Sequence, residues 1–147
     1  MAAIEHQVRF SRLHEQRAEI ISQLSREIDE VPNAIRSYLL HDLRKTEVLT
    51  AARIRAFKLF ELIRINRIIL PPRTCELLDQ FSTVLLQLVL TLTAFYGETS
   101  SARTNPEMIT MKNEVKKNAL SAFGDEIPTL RDKLIEDLRG LLAGSSD

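Results

Sequence analysis

Apolar residues recur at three- and four-residue steps along almost the whole chain, and strict alternation bounded by turn dipeptides is scarce. Three- and four-residue steps keep side chains on one face of an α-helix, so the pattern predicts an all-α protein. We read five segments. In the first, about 3–30, Phe10, Leu13, Ile20, Ile21, Leu24, Ile28 and Val31 share one seam that Arg17 interrupts. On a 3.6-residue wheel these positions fall within an arc of about 100°. The spacing 10, 13, 17, 20, 24 resembles heptad positions, which a helix packed along a bundle satisfies as well as a short coiled coil does.

Pro32 is expected to break this helix or to restart the chain as an early residue of the next, because its ring sets φ and removes a donor. The second segment, about 33–69, is long, with room for a break near Thr46 to Thr50. From Ile54 onward its apolar residues go nearly all round, the mark of a helix enclosed by neighbours. Pro71-Pro72 ends it, and Thr74 is the expected N-cap of a third helix, about 74–96, closed by Gly97. Residues 80–97 carry no charge, which raises a membrane span. Yet Asp79, Gln80, Ser82, Thr83, Gln87, Thr91 and Thr93 form a polar side opposite the apolar one, so an apolar central helix is the better expectation. Asn105-Pro106-Glu107 starts a fourth helix, 106–123, after a Ser- and Thr-rich loop from Glu98 to Asn105. Gly124 is expected to stop it, and a fifth helix, 128–142, carries a Leu stripe before a flexible tail at 144–147. The predicted fold is a bundle of four to five helices with a long second helix and helix three at its centre.

Composition narrows this picture. At 147 residues the chain fits one domain, residues 1–147. With 44% hydrophobic residues, 4 Gly and 5 Pro, it can bury a core and is neither disordered nor low-complexity. The single Cys75 permits no internal disulfide, and charges at Glu5 and Arg9 interrupt any secretory signal core, so an intracellular protein, cytoplasmic or nuclear, is expected.

Chemistry adds little. His14-Glu15-Gln16-Arg17-Ala18 lacks the second His of a zinc-protease helix, and none of the three histidines follows an acidic residue at the spacing of a di-iron bundle. The four glycines, at 97, 124, 140 and 144, write no phosphate loop, dinucleotide fingerprint or nucleophile elbow. Cys75 follows Arg73 into a helix start, a setting that can lower a thiol pKa, but no His lies close in sequence to act as its base. We therefore expect no catalytic residue, no cofactor and no metal site.

Charge is the most uneven feature. The chain balances 20 Lys and Arg against 20 Asp and Glu, yet residues 44–73 hold a net +6 while 1–43 and 74–147 are acidic. In a continuous helix Arg53, Arg64 and Arg67 would project to one side, and Arg44, Arg55 and Lys58 to roughly the other. Arg53, Arg64 and Arg67 are the candidates for a charged partner surface, unless the chain's own acids take them up. Leu13, Ile20 and Leu24 are the candidates for an apolar interface, unless they are bundle core. These features predict a non-enzymatic protein-protein interaction or scaffold subunit, in an intracellular assembly or a homo-oligomer. The alternative is a basic peripheral module that binds nucleic acid or anionic membrane through residues 44–73.

Overall fold

The computed structural model describes residues 2–97 and 106–144, with the side chains of 12–97 and 106–144. It is an all-α bundle. Five helices follow in order: α1 Ala2–His41, α2 Thr46–Ile65, α3 Pro72–Tyr96, α4 Pro106–Gly124 and α5 Glu126–Leu142, with a 3-10 turn at Arg67–Ile69 before α3. The 98–105 loop with its Asn105 cap, the Phe10 side chain and tail residues 145–147 lie outside the described residues.

Several expected boundaries move, among them the start of the fifth helix, which is Glu126 and not 128. Pro32 does not break the first helix, which runs 40 residues through it. The buried positions show why: Ile21, Leu24, Ile28, Val31, Ile35 and Tyr38 keep a three-four rhythm on both sides of Pro32, all at most 1% exposed. Burying that seam offsets the bond lost from the proline's missing N–H. The long helix is therefore α1, and the 33–69 segment divides at residues 42–45, where the Lys45 N–H donates to the Asp42 carbonyl at 2.8 Å and the Tyr38 hydroxyl to the Leu43 carbonyl at 3.3 Å.

Helix α2 has 20 residues. At its end the Asn66 side-chain amide donates back to the Leu62 carbonyl at 2.8 Å, a bond to the residue four before it that accompanies the last turn. Leu70 is extended, the backbone that a following proline favours, and the first bond of α3 runs from the Cys75 N–H to the Pro71 carbonyl at 3.1 Å. Pro71, not Thr74, occupies the N-cap, and Thr74 is buried. Gly97 closes α3 with φ −72, an ordinary backbone, whereas Gly144 after α5 adopts φ 71.

Helices α1 and α3 share the core: each packs on α2, α4 and α5. Leu78, Phe81, Leu85, Val89 and Leu92 of α3 are at most 1% exposed. Helix α4 is peripheral, with Ala119 its buried residue. Polar ties cross the bundle: Arg131 pairs with Asp29 at 2.6 Å, Arg55 with Glu30, and Arg17 Nε donates to the Ile69 carbonyl at 2.8 Å. The Thr74 hydroxyl donates to the Asp137 carboxylate at 2.5 Å, which joins the start of α3 to α5.

Candidate interaction surface

Helix α2 carries two apolar faces. Leu49, Ala52, Ala56, Leu59 and Ile63 follow three- and four-residue steps and face the core. On the other side Ile54 is 48% exposed, Phe57 44% and Ile65 63%, with Ile68 beside them at 98% in the 3-10 turn. Phe60, at the edge, is also exposed. The all-round apolar pattern from Ile54 onward therefore does not mark an enclosed helix. One face is covered and the other lies open, forming a shallow apolar depression lined by Ile54, Phe57, Lys58, Glu61, Leu62 and Ile65. Sequence reasoning missed this surface because it read an excess of apolar positions as burial.

The structure separates the three basic candidates. Arg53 and Arg64 share one edge of α2, but Arg67 lies beyond the helix in the 3-10 turn. There it makes a two-pronged pair with Asp79 of α3, at 2.9 and 2.7 Å. Arg64 pairs with Glu61 at 2.8 Å, and this hydrogen-bonded guanidinium holds the Glu61 carboxyl below the usual carboxylate range. Arg53 is half-buried at the rim of α2 and has no ion pair among the described residues. Five of the eight basic groups in 44–73 meet an acid: Lys45 with Asp42, Arg55 with Glu30 and Glu27, Arg64 with Glu61, Arg67 with Asp79 and Arg73 with Asp137. Four of these draw their acids from outside the segment, so most of its excess charge is neutralised within the fold.

The three apolar candidates part ways too. Leu24 is fully buried in the core, Ile20 packs partly buried against it, and Leu13 is 37% exposed beside His14, Arg17 and the end of α5. They form no common surface.

Of the groups considered for chemistry, His14 and His41 are exposed. Cys75 is buried, its thiol pointing at the Arg67 carbonyl at 3.5 Å, and burial pushes the thiol pKa up despite the opposing charge of Arg67. Among the described residues no group of three or more His, Cys, Asp and Glu gathers to hold a metal. Nor, among them, is any buried side-chain nitrogen or oxygen left without a hydrogen-bond partner. Helix α3 is long and apolar enough to cross a bilayer, and in this fold its buried side supplies the centre of the core. No protein-family model, curated protein or solved structure matches this chain.

Proposed function

We propose that this protein is a non-enzymatic interaction subunit of an intracellular assembly, which offers the outward face of α2 to a protein partner. The observation that carries the reading is the exposure of Ile54, Phe57, Phe60, Ile65 and Ile68 on and beside a helix whose opposite face is locked into the core. Fully burying such a side chain is worth roughly 1.5–3 kcal/mol and about half of that remains to be gained here, so a partner gains most from this face, and the rigid backing limits the entropy lost on binding. The test is a photo-crosslinking residue placed at Phe57, with a control at exposed Thr83 of α3. Protein adducts at position 57 and none at 83 are expected; absence of adducts at 57 refutes the reading.

One observation favours a second reading. Arg44, Arg53 and Lys58 have no ion pair among the described residues, and Arg53 and Lys58 border the same apolar face, as in a peripheral contact with anionic membrane. Nucleic acid has less support, because phosphate contacts would compete with the internal pairs of Arg55, Arg64 and Arg67. Flotation with phosphatidylserine vesicles tests the membrane reading. Binding that weakens with salt and is lost in Phe57→Glu supports it, and unbound protein at low salt dismisses it.

A further inference from the structure

The outward face of α2 has a symmetry in its chemistry. Its six lining residues map onto themselves about the midpoint between Leu59 and Phe60: Ile54 onto Ile65, Phe57 onto Leu62, and Lys58 onto Glu61. In an antiparallel pair of identical helices, residues equidistant from the twofold axis stand at the same height on the two chains. Ile54 then meets Ile65 and Lys58 meets Glu61 along the middle of the seam, while Phe57 and Leu62, about 140° apart on the helix, flank it on opposite edges. The steps between positions 54, 58, 61 and 65 are four, three and four, the rhythm of a helix-helix seam.

We infer that the outward face of α2 pairs antiparallel with the same face of a second copy of this chain, in the register that sets Lys58 against the partner subunit's Glu61. A parallel pairing is disfavoured because it would set Lys58 against Lys58 and Glu61 against Glu61, and like charges at a seam are costly. A slip of one turn in the antiparallel register would set Ile54 or Ile65 against a charged side chain. Glu61 already accepts from Arg64 of its own chain, whereas Lys58 has no ion pair among the described residues. Pairing supplies Lys58 with an acid and encloses Ile54 and Ile65, which the single chain leaves 48% and 63% exposed. The seam covers about three helical turns, short for an obligate interface, so monomer and dimer exchange reversibly.

This inference rests on the interaction reading above and names its partner. Sedimentation equilibrium of the full chain, from about 1 to about 500 µM at low salt, should show a reversible monomer-dimer equilibrium. Lys58→Glu and Glu61→Lys should each weaken it about tenfold or more, with helical circular dichroism unchanged because both side chains are exposed. Mixing the two variants sets an acid against a base in both central layers and should restore dimers, now as heterodimers. A monomer at every concentration overturns the inference, as does a dimer indifferent to either reversal or a mixture that does not recover. A monomer that instead binds anionic vesicles through Phe57 overturns it in favour of the membrane. Heterologous adducts at position 57 together with a monomeric chain would sink self-pairing while leaving the interaction reading intact.

Discussion

Tyr38 shows how one side chain joins the fold's parts. Its ring is fully buried at the end of α1, and its hydroxyl donates to the Leu43 carbonyl in the turn to α2. Burial, with a smaller contribution from Tyr96, pushes its pKa from 10.0 to about 12. The proton is therefore held more tightly in the folded chain than in the unfolded one. The associated stability is complete below pH 10 and declines as pH rises toward 12. Urea denaturation at pH 8 and pH 11 should show this loss in the wild type and a smaller one in Tyr38→Phe, which at pH 8 forfeits about 1 kcal/mol with the hydrogen bond. Leu24 makes the complementary point. It shares the helix-one seam with half-exposed Leu13, but no part of it reaches solvent. Leu24→Ala should cost about 2–5 kcal/mol in the same denaturation assay, the range for a leucine truncated inside a packed core. A cost below about 1 kcal/mol would place Leu24 at a surface instead.

At the scale of elements, helix ends follow from identifiable local competition, and helix continuity follows from burial. At the end of α2 the Asn66 side chain bonds back to the Leu62 carbonyl, and Pro71 biases Leu70 toward the extended backbone that it adopts. Pro32 has the same local effect in principle, but the seam that resumes at Ile35 and Tyr38 holds α1 together. Pro32→Ala should restore a helical donor to the Ile28 carbonyl and raise stability by roughly 1 kcal/mol, seen as a higher Tm; a lower Tm would mean the ring's packing outweighs the bond. Gly144 is the opposite case. Its φ of 71 lets the chain leave α5, with its N–H donating to the Leu141 carbonyl at 3.1 Å. Gly144→Ala should destabilise by about 1 kcal/mol, while Gly124→Ala, where an added Cβ meets nothing within 4 Å, should not destabilise at all.

Across the whole molecule, protection should follow burial. Helix α3 buries eight residues, among them Leu78, Phe81, Leu85, Val89 and Leu92, and α1 buries its seam from Ile21 to Leu39, whereas in α4 only Ala119 is buried. Amide hydrogen exchange should therefore be slowest in the middle of α3 and in α1 from Ile21 to Leu39, and fastest among the helices in α4. Equal protection of α3 and α4 would contradict this ranking. The charge layout acts at the same scale. The basic segment between residues 44 and 73 binds the acids of α1, α3 and α5 to itself through Arg55, Arg67 and Arg73. The pairs of Arg55 and Arg67 are exposed and that of Arg73 is half-buried at Asp137, so each adds little stability, while together they offset much of the segment's positive charge.

The helical class, the order of the helices, the apolar seam of α1 and the buried side of α3 were legible in the spacing of apolar residues. That information is local, because it depends on the geometry of one helix about its own axis. The continuity of α1 was misread: Pro32 was expected to end the first helix, although the three-four rhythm passes it from Ile28 to Ile35. The open face of α2 was not legible. An apolar residue carries the same pattern whether another helix covers it or solvent does, and coverage is decided by segments distant in sequence. The pairing of Arg67 with Asp79 and of Arg131 with Asp29 belongs to the same kind of fact, since partners 12 and 102 residues apart meet because the bundle brings their helices together. The amino-acid sequence thus determined which faces could be buried, and tertiary packing decided that the face of α2 bearing Ile54, Phe57 and Ile65 was not.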